Sequence, residues 1–187
     1  MRVLKNQRQA GLVAIVLAAL FTVSGYGLVA QADTSNIPPA TTEQLAIISQ
    51  NCIQIKSTLQ QLSQNDLLVR NNAGQYYDEI SSDLMGPMNS RIALNHFDGA
   101  DLVTTAANYS SQITSFRADY LSYASKLQTV LGDSCSNVNQ FYTDLITAQQ
   151  ARLTLGQDVT ALNTSIAQYG QQFADFAKNL PIGGSNG

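Results

Sequence analysis

Between Thr42 and Met85 the residues Leu45, Ile48, Cys52, Ile55, Leu59 and Leu62 recur at steps of three and four. That spacing returns to one helical face every seven residues and defines the seam of a coiled coil. It excludes a strand, whose side chains change face at every residue. A helix with one apolar stripe cannot bury it alone, and the sequence supplies two partners. Leu102, Ala106, Tyr109, Ile113, Phe116, Tyr120, Tyr123, Leu127 and Val130 keep the same alternation, as does the run from Val138 through Phe141, Leu145, Ala148, Arg152 and Leu155 to Phe176.

The first ladder continues through Asp66, Val69, Ala73, Tyr76 and Ile80. Asn71-Asn72-Ala73-Gly74 softens it, because a glycine inside a helix costs about 1 kcal/mol relative to alanine. Gly86-Pro87 is a stronger interruption, since proline lacks the N–H and crowds the preceding turn. A kink or short break is expected there, with Met88 to Leu94 as a further helical piece. Asn95-His96-Phe97-Asp98-Gly99 reverses the chain, and Asp133 to Ser136 does so again. The expected fold is therefore all-α, an elongated antiparallel three-helix bundle with coiled-coil-like seams, its first helix kinked near Gly86-Pro87. The helices are expected at about 42–95, 98–131 and 137–179, long enough for a rod on the order of 60 Å. Together they make one folded domain, 42–179.

Ahead of the bundle, residues 1–32 have the parts of a secretory signal: basic Arg2, Lys5 and Arg8, an apolar run from Gly11 to Val23, and small residues at Ala30 and Ala32. Cleavage is expected before Asp33. The rival is an uncleaved anchor, because residues 11–30 are long and apolar enough to span a bilayer. Residues 33–41, with Pro38-Pro39, read as an extended linker, and 180–187 as a disordered tail.

Cleavage removes three of the ten basic residues and leaves seven against thirteen acidic ones, a net charge of −6. A nucleic-acid partner needs the opposite sign, and so does charge docking on an anionic membrane. Membrane contact is then confined to residues 11–30, if they are retained. The polar surface is built mainly from Gln, Asn, Ser and Thr, since charged residues are only 12% of the chain.

Leu84-Met85-Gly86-Pro87-Met88-Asn89-Ser90-Arg91, with Phe116-Arg117 and Tyr120 beyond it, resembles a segment of uncharacterised exported helical proteins of ultrasmall candidate-phyla bacteria of the Saccharibacteria type. The likeness spans roughly residues 50 to 178. It implies a secreted or envelope setting and adds nothing to mechanism.

Three groups of residues can be asked for chemistry. His96, the only histidine, lies in a turn near Asp98 and Asp101, where catalysis or metal binding would need convergent partners that the sequence does not supply. Asp78, Glu79 and Asp83 precede the Gly86-Pro87 interruption. Paired carboxylates can hydrolyse a glycan when a cleft holds them apart, whereas a solvated helix face accounts for these without one. Tyr109, Tyr120, Tyr123 and Tyr169 occupy seam positions, where an aromatic body is buried and its hydroxyl reaches an edge. No catalytic residue, cofactor or metal site is assigned.

Two cysteines in an exported chain normally pair, so Cys52 and Cys135 are expected to form a disulfide. The reversal near His96 returns the second helix along the first and brings Cys135 to the level of Cys52. From that level Asp66 lies 14 residues on and Arg152 lies 17 on, both about 20 to 25 Å along the bundle. The two charges that interrupt the seams should therefore meet, with Tyr120 or Tyr123 completing a polar layer. In the alternative, Asp66 pairs with Arg70 one turn away and Arg152 extends to water.

The function expected is that of a non-enzymatic, extracytoplasmic helical protein, secreted or in the cell envelope, acting as spacer, adaptor or binding module. Its partner is an unknown envelope protein or a second copy. The alternatives are a periplasmic-type chaperone, which would use mobile apolar faces, and an envelope hydrolase, which would need convergent acids in a cleft.

Overall fold

The computed structural model describes residue 37 and residues 39–180. The expected export segment, most of the linker and all but the first residue of the tail lie outside them. The described chain is all-α, with α1 at Thr42–Glu79, α2 at Gly86–Leu94, α3 at Ala100–Gly132 and α4 at Val138–Lys178. A π-helical segment, Ile80–Met85, joins α1 to α2 without a break, so these three make up the first strand of a three-helix antiparallel bundle.

Helix ends follow from their local sequences. Thr41 Oγ1 accepts from the Gln44 N–H at 3.2 Å while Gln44 Oε1 accepts from the Thr41 N–H at 2.8 Å, a reciprocal capping box. Asn137 Oδ1 lies 3.4 Å from the Gln140 N–H at the start of α4. At the end of α2 the Phe97 N–H reaches the Ile92 carbonyl and the His96 N–H that of Ala93, the two bonds of a Schellman motif. His96 takes the left-handed position of that motif, with φ at 56°. Gly99 follows where the chain presses on Ile92, and a Cβ there would sit 2.6 Å from Ile92 Cγ2.

The charge-poor surface is also explained locally. Thr58, Ser90, Thr104, Ser110 and Thr143 each donate their hydroxyl to the carbonyl four residues earlier. Such bonds satisfy a hydroxyl without a distant partner and weaken the helix slightly, so packing along the seams has to supply the stability.

The chain forms two compact units. One comprises the described residues up to Leu67 together with Asp119–Leu155, the other Leu68–Ala118 together with the described residues from Gly156. In the first, Ile48, Cys52, Ile55 and Leu59 of α1 pack with Tyr123, Leu127 and Val130 of α3 and with Phe141, Leu145 and Ala148 of α4. In the second, Tyr77, Met85, Ile92, Leu102, Tyr109, Ile113, Phe116, Leu162 and Tyr169 are buried. Tyr77 meets Phe116 edge-on, with ring centroids 5.7 Å apart.

The first ladder changes register in the second unit. Val69 and Tyr76, expected in the seam, are 65% and 52% exposed, and Tyr77 is buried instead. A strict seven-residue repeat drifts about 20° per heptad against a straight helix, and an extra step of four corrects the drift. The buried side therefore runs from Asp66 by way of Ala73 to Tyr77. The π segment makes a second adjustment. Its Gly86 N–H bonds to the Ser81 carbonyl five residues back, in the span where Pro87 removes a donor and crowds a regular turn. An uninterrupted helix would turn Leu84, Met88 and Arg91 inward after Tyr77. The extra residue of the π turn instead buries Met85 and Ile92 and leaves Leu84 half exposed.

Candidate functional site

The seam charges of the first unit meet. Asp66 Oδ2 accepts from the Tyr123 hydroxyl at 2.6 Å and from Arg152 Nε at 3.3 Å, while Oδ1 accepts from Arg152 Nη2 at 3.3 Å. The Arg152 and Asp66 side chains are 28% and 17% exposed. Burial raises the Tyr123 hydroxyl far above its ordinary range, and the bond to Asp66 raises it further. Burial, the largest single influence, would lower Arg152, but the hydrogen bond and charge of Asp66 together with Tyr123 outweigh it and hold Arg152 above its ordinary value. Both donors keep their protons at any ordinary pH, so they form a fixed clamp on one carboxylate and do not act as an acid–base pair. Tyr120 packs edge-on against Tyr123, with ring centroids 6.3 Å apart.

The same unit holds a disulfide between Cys52 of α1 and Cys135 of the α3–α4 turn, with Cα atoms 5.7 Å apart. Beside it Lys56 Nζ donates to the Asp133 carbonyl at 2.8 Å. The Asp133 carboxyl is raised above the usual carboxylate range, first by burial and then by the charge and hydrogen bond of Asp144. Lys56 opposes that rise. The disulfide was expected from the sequence, but the polar contacts beside it were not visible there, because Lys56, Asp133 and Asp144 are brought together only by the turn and the disulfide.

The second unit separates the acidic cluster into individual contacts. Asp78 accepts from Arg117 Nη2 at both carboxylate oxygens, Glu79 accepts from Gln75 Nε2 at 3.0 Å, and Asp83 accepts from the Ser82 hydroxyl at 2.7 Å. His96 is exposed in its turn. The buried tyrosines use their hydroxyls on helix edges, Tyr109 toward the Tyr77 carbonyl at 3.2 Å and Tyr169 toward Asn89 Oδ1 at 2.8 Å. Between α1 and α3 a cleft of about 390 Å³ runs from Arg70 to Ser82, with Phe116 and Arg117 on its other wall. Sequence spacing gives no signal for it, since Asp78 and Arg117 are 39 residues apart.

Among the described residues no three His, Cys, Asp or Glu side chains converge to hold a metal, and no helix is long and apolar enough to cross a membrane. The chain matches no family model, no curated protein and no solved structure.

Proposed function

We propose that this is a non-enzymatic, extracytoplasmic helical protein that works through its surface as a spacer, adaptor or binding module of the cell envelope. The observation that carries this reading is how the groups most capable of chemistry are used. Asp66, Arg152 and Tyr123 bond one another, and Cys52 and Cys135 bond each other, all in holding three helices together. The disulfide also supports an oxidising compartment, in keeping with the basic, apolar and small-residue pattern of the first 32 residues. For a surface role, α1 offers Val69 and Tyr76, and the π segment offers Leu84. After the π turn these three lie on one side of the first helix, flanked by half-buried Ala73 and Ile80.

Photo-crosslinking residues at Tyr76 and Leu84 of the full chain, activated in intact cells, test the reading. A discrete adduct with an envelope component is expected from both positions. Activation that leaves only unmodified monomer at both would remove the adaptor and binding readings. The same exposed apolar residues favour one second reading, a chaperone, for which the chain would suppress aggregation of a reduced client protein at equimolar ratio.

A further inference from the structure

Gly74 is a costly residue where it stands. It lies well inside α1, where glycine disfavours the helix, and no neighbour requires its smallness, because a Cβ added there meets nothing within 4 Å. What its missing side chain leaves is space in the floor of the cleft between α1 and α3. The residues around that space are almost all hydrogen-bonding. Asn71 precedes Gly74 by one turn, and the side chains of Gln75 and Asp78 follow it on the same wall. Across from them Arg117 is held by its ion pair with Asp78, made through Nη2 alone, with the two side chains 52% and 49% exposed, so their outer edges still face solvent. Arg70 and Arg117 balance Asp78 and Glu79, which leaves the cleft with no net charge and no preference for an ion of either sign.

Building on the binding-module reading above, we propose that this cleft binds a neutral saccharide. Amide, carboxylate and guanidinium groups held in planar arrays offer donors and acceptors to paired hydroxyls, and electrical balance selects an uncharged polyol over an anion. A peptide would need apolar pockets for its side chains, whereas Phe116, the apolar side chain of the lining, is only 5% exposed. For the same reason no ring is available for a sugar to stack on, and the expected affinity is weak, with a dissociation constant of about 1 mM.

The test is a nuclear magnetic resonance titration of the full chain with cellohexaose, maltohexaose and chitohexaose, and with a capped Ser-Gly hexapeptide. At least one saccharide should give saturable shifts confined to the amides of residues 71–79 and Arg117. A Cβ at Gly74 meets no neighbour and leucine favours the helix, so Gly74→Leu, whose side chain takes up space in the cleft, should weaken binding more than tenfold with an unchanged or raised melting temperature. Gly170→Leu, at another open helical glycine, should leave binding unchanged. No shift with any of the three sugars would overturn the proposal, as would binding that survives Gly74→Leu or shifts produced by the peptide alone. Adducts at Tyr76 and Leu84 together with a silent titration would leave the surface role standing and remove only the saccharide.

Discussion

Asp66 takes three hydrogen bonds from donors on two other helices and is mostly buried. Removing either charge of such a pair strands the other in a poorly solvated place. Asp66→Ala and Arg152→Ala should each cost about 3 kcal/mol in denaturant unfolding, and the double variant should cost far less than their sum. Additive losses would mean that the two charges act independently. His96 gives a prediction of the opposite sign, because a side chain at φ 56° is strained where glycine is not. His96→Gly should raise stability by about 1 kcal/mol, measured by the same unfolding curves. Asp133 sets a pH dependence. Its folded value is raised, so its contribution is fully present below the ordinary carboxylate value and is lost as pH rises through the raised one. Asp133→Asn should therefore melt higher than the parent at pH 7.5, and the gain should vanish at pH 3.

At the level of elements, α1, the π segment and α2 behave as one helix that twice corrects its phase. The correction at Ile80–Met85 amounts to one added residue, so removing one residue there should restore a continuous α-helix with the same side inward. Deleting Leu84 together with Pro87→Ala, to relieve the ring clash, should retain a cooperative thermal transition and full helical circular dichroism. Deleting Gln64 instead turns everything after it by about 100° relative to the residues before it, and should abolish cooperativity. Equal damage from the two deletions would mean that the π turn does more than set phase. Gly99 matters at this scale too, since the α2–α3 turn closes directly onto Ile92 and leaves no room for a Cβ.

Across the whole molecule, the disulfide links residues 83 apart in sequence. Closing a loop of that size should stabilise the fold by about 4 to 5 kcal/mol in the chain-entropy picture, or roughly 10–15 °C in melting temperature for a chain of this length. Reduction, or Cys52→Ser with Cys135→Ser, should lower the melting temperature by that amount. Amide exchange should accelerate more in the unit that contains the cysteines than in residues 68–118. The helical class, the three seams and the two turns were legible in the sequence because a buried stripe imposes a period that survives without neighbours. So was the level at which Cys52 meets Cys135 and Asp66 meets Arg152, since helical rise per residue is nearly constant and two reversals fix direction. The side of α1 that faces inward beyond Asp66 was not legible. Val69 and Tyr76 fit a seven-residue repeat as well as Tyr77 fits a straight helix, and only packing against Phe116 and Tyr109 chose between them. The contacts of Asp133 with Asp144 and of Asp78 with Arg117 were equally hidden. They join polar residues that carry no periodic signal and become neighbours only when separate helices are brought side by side.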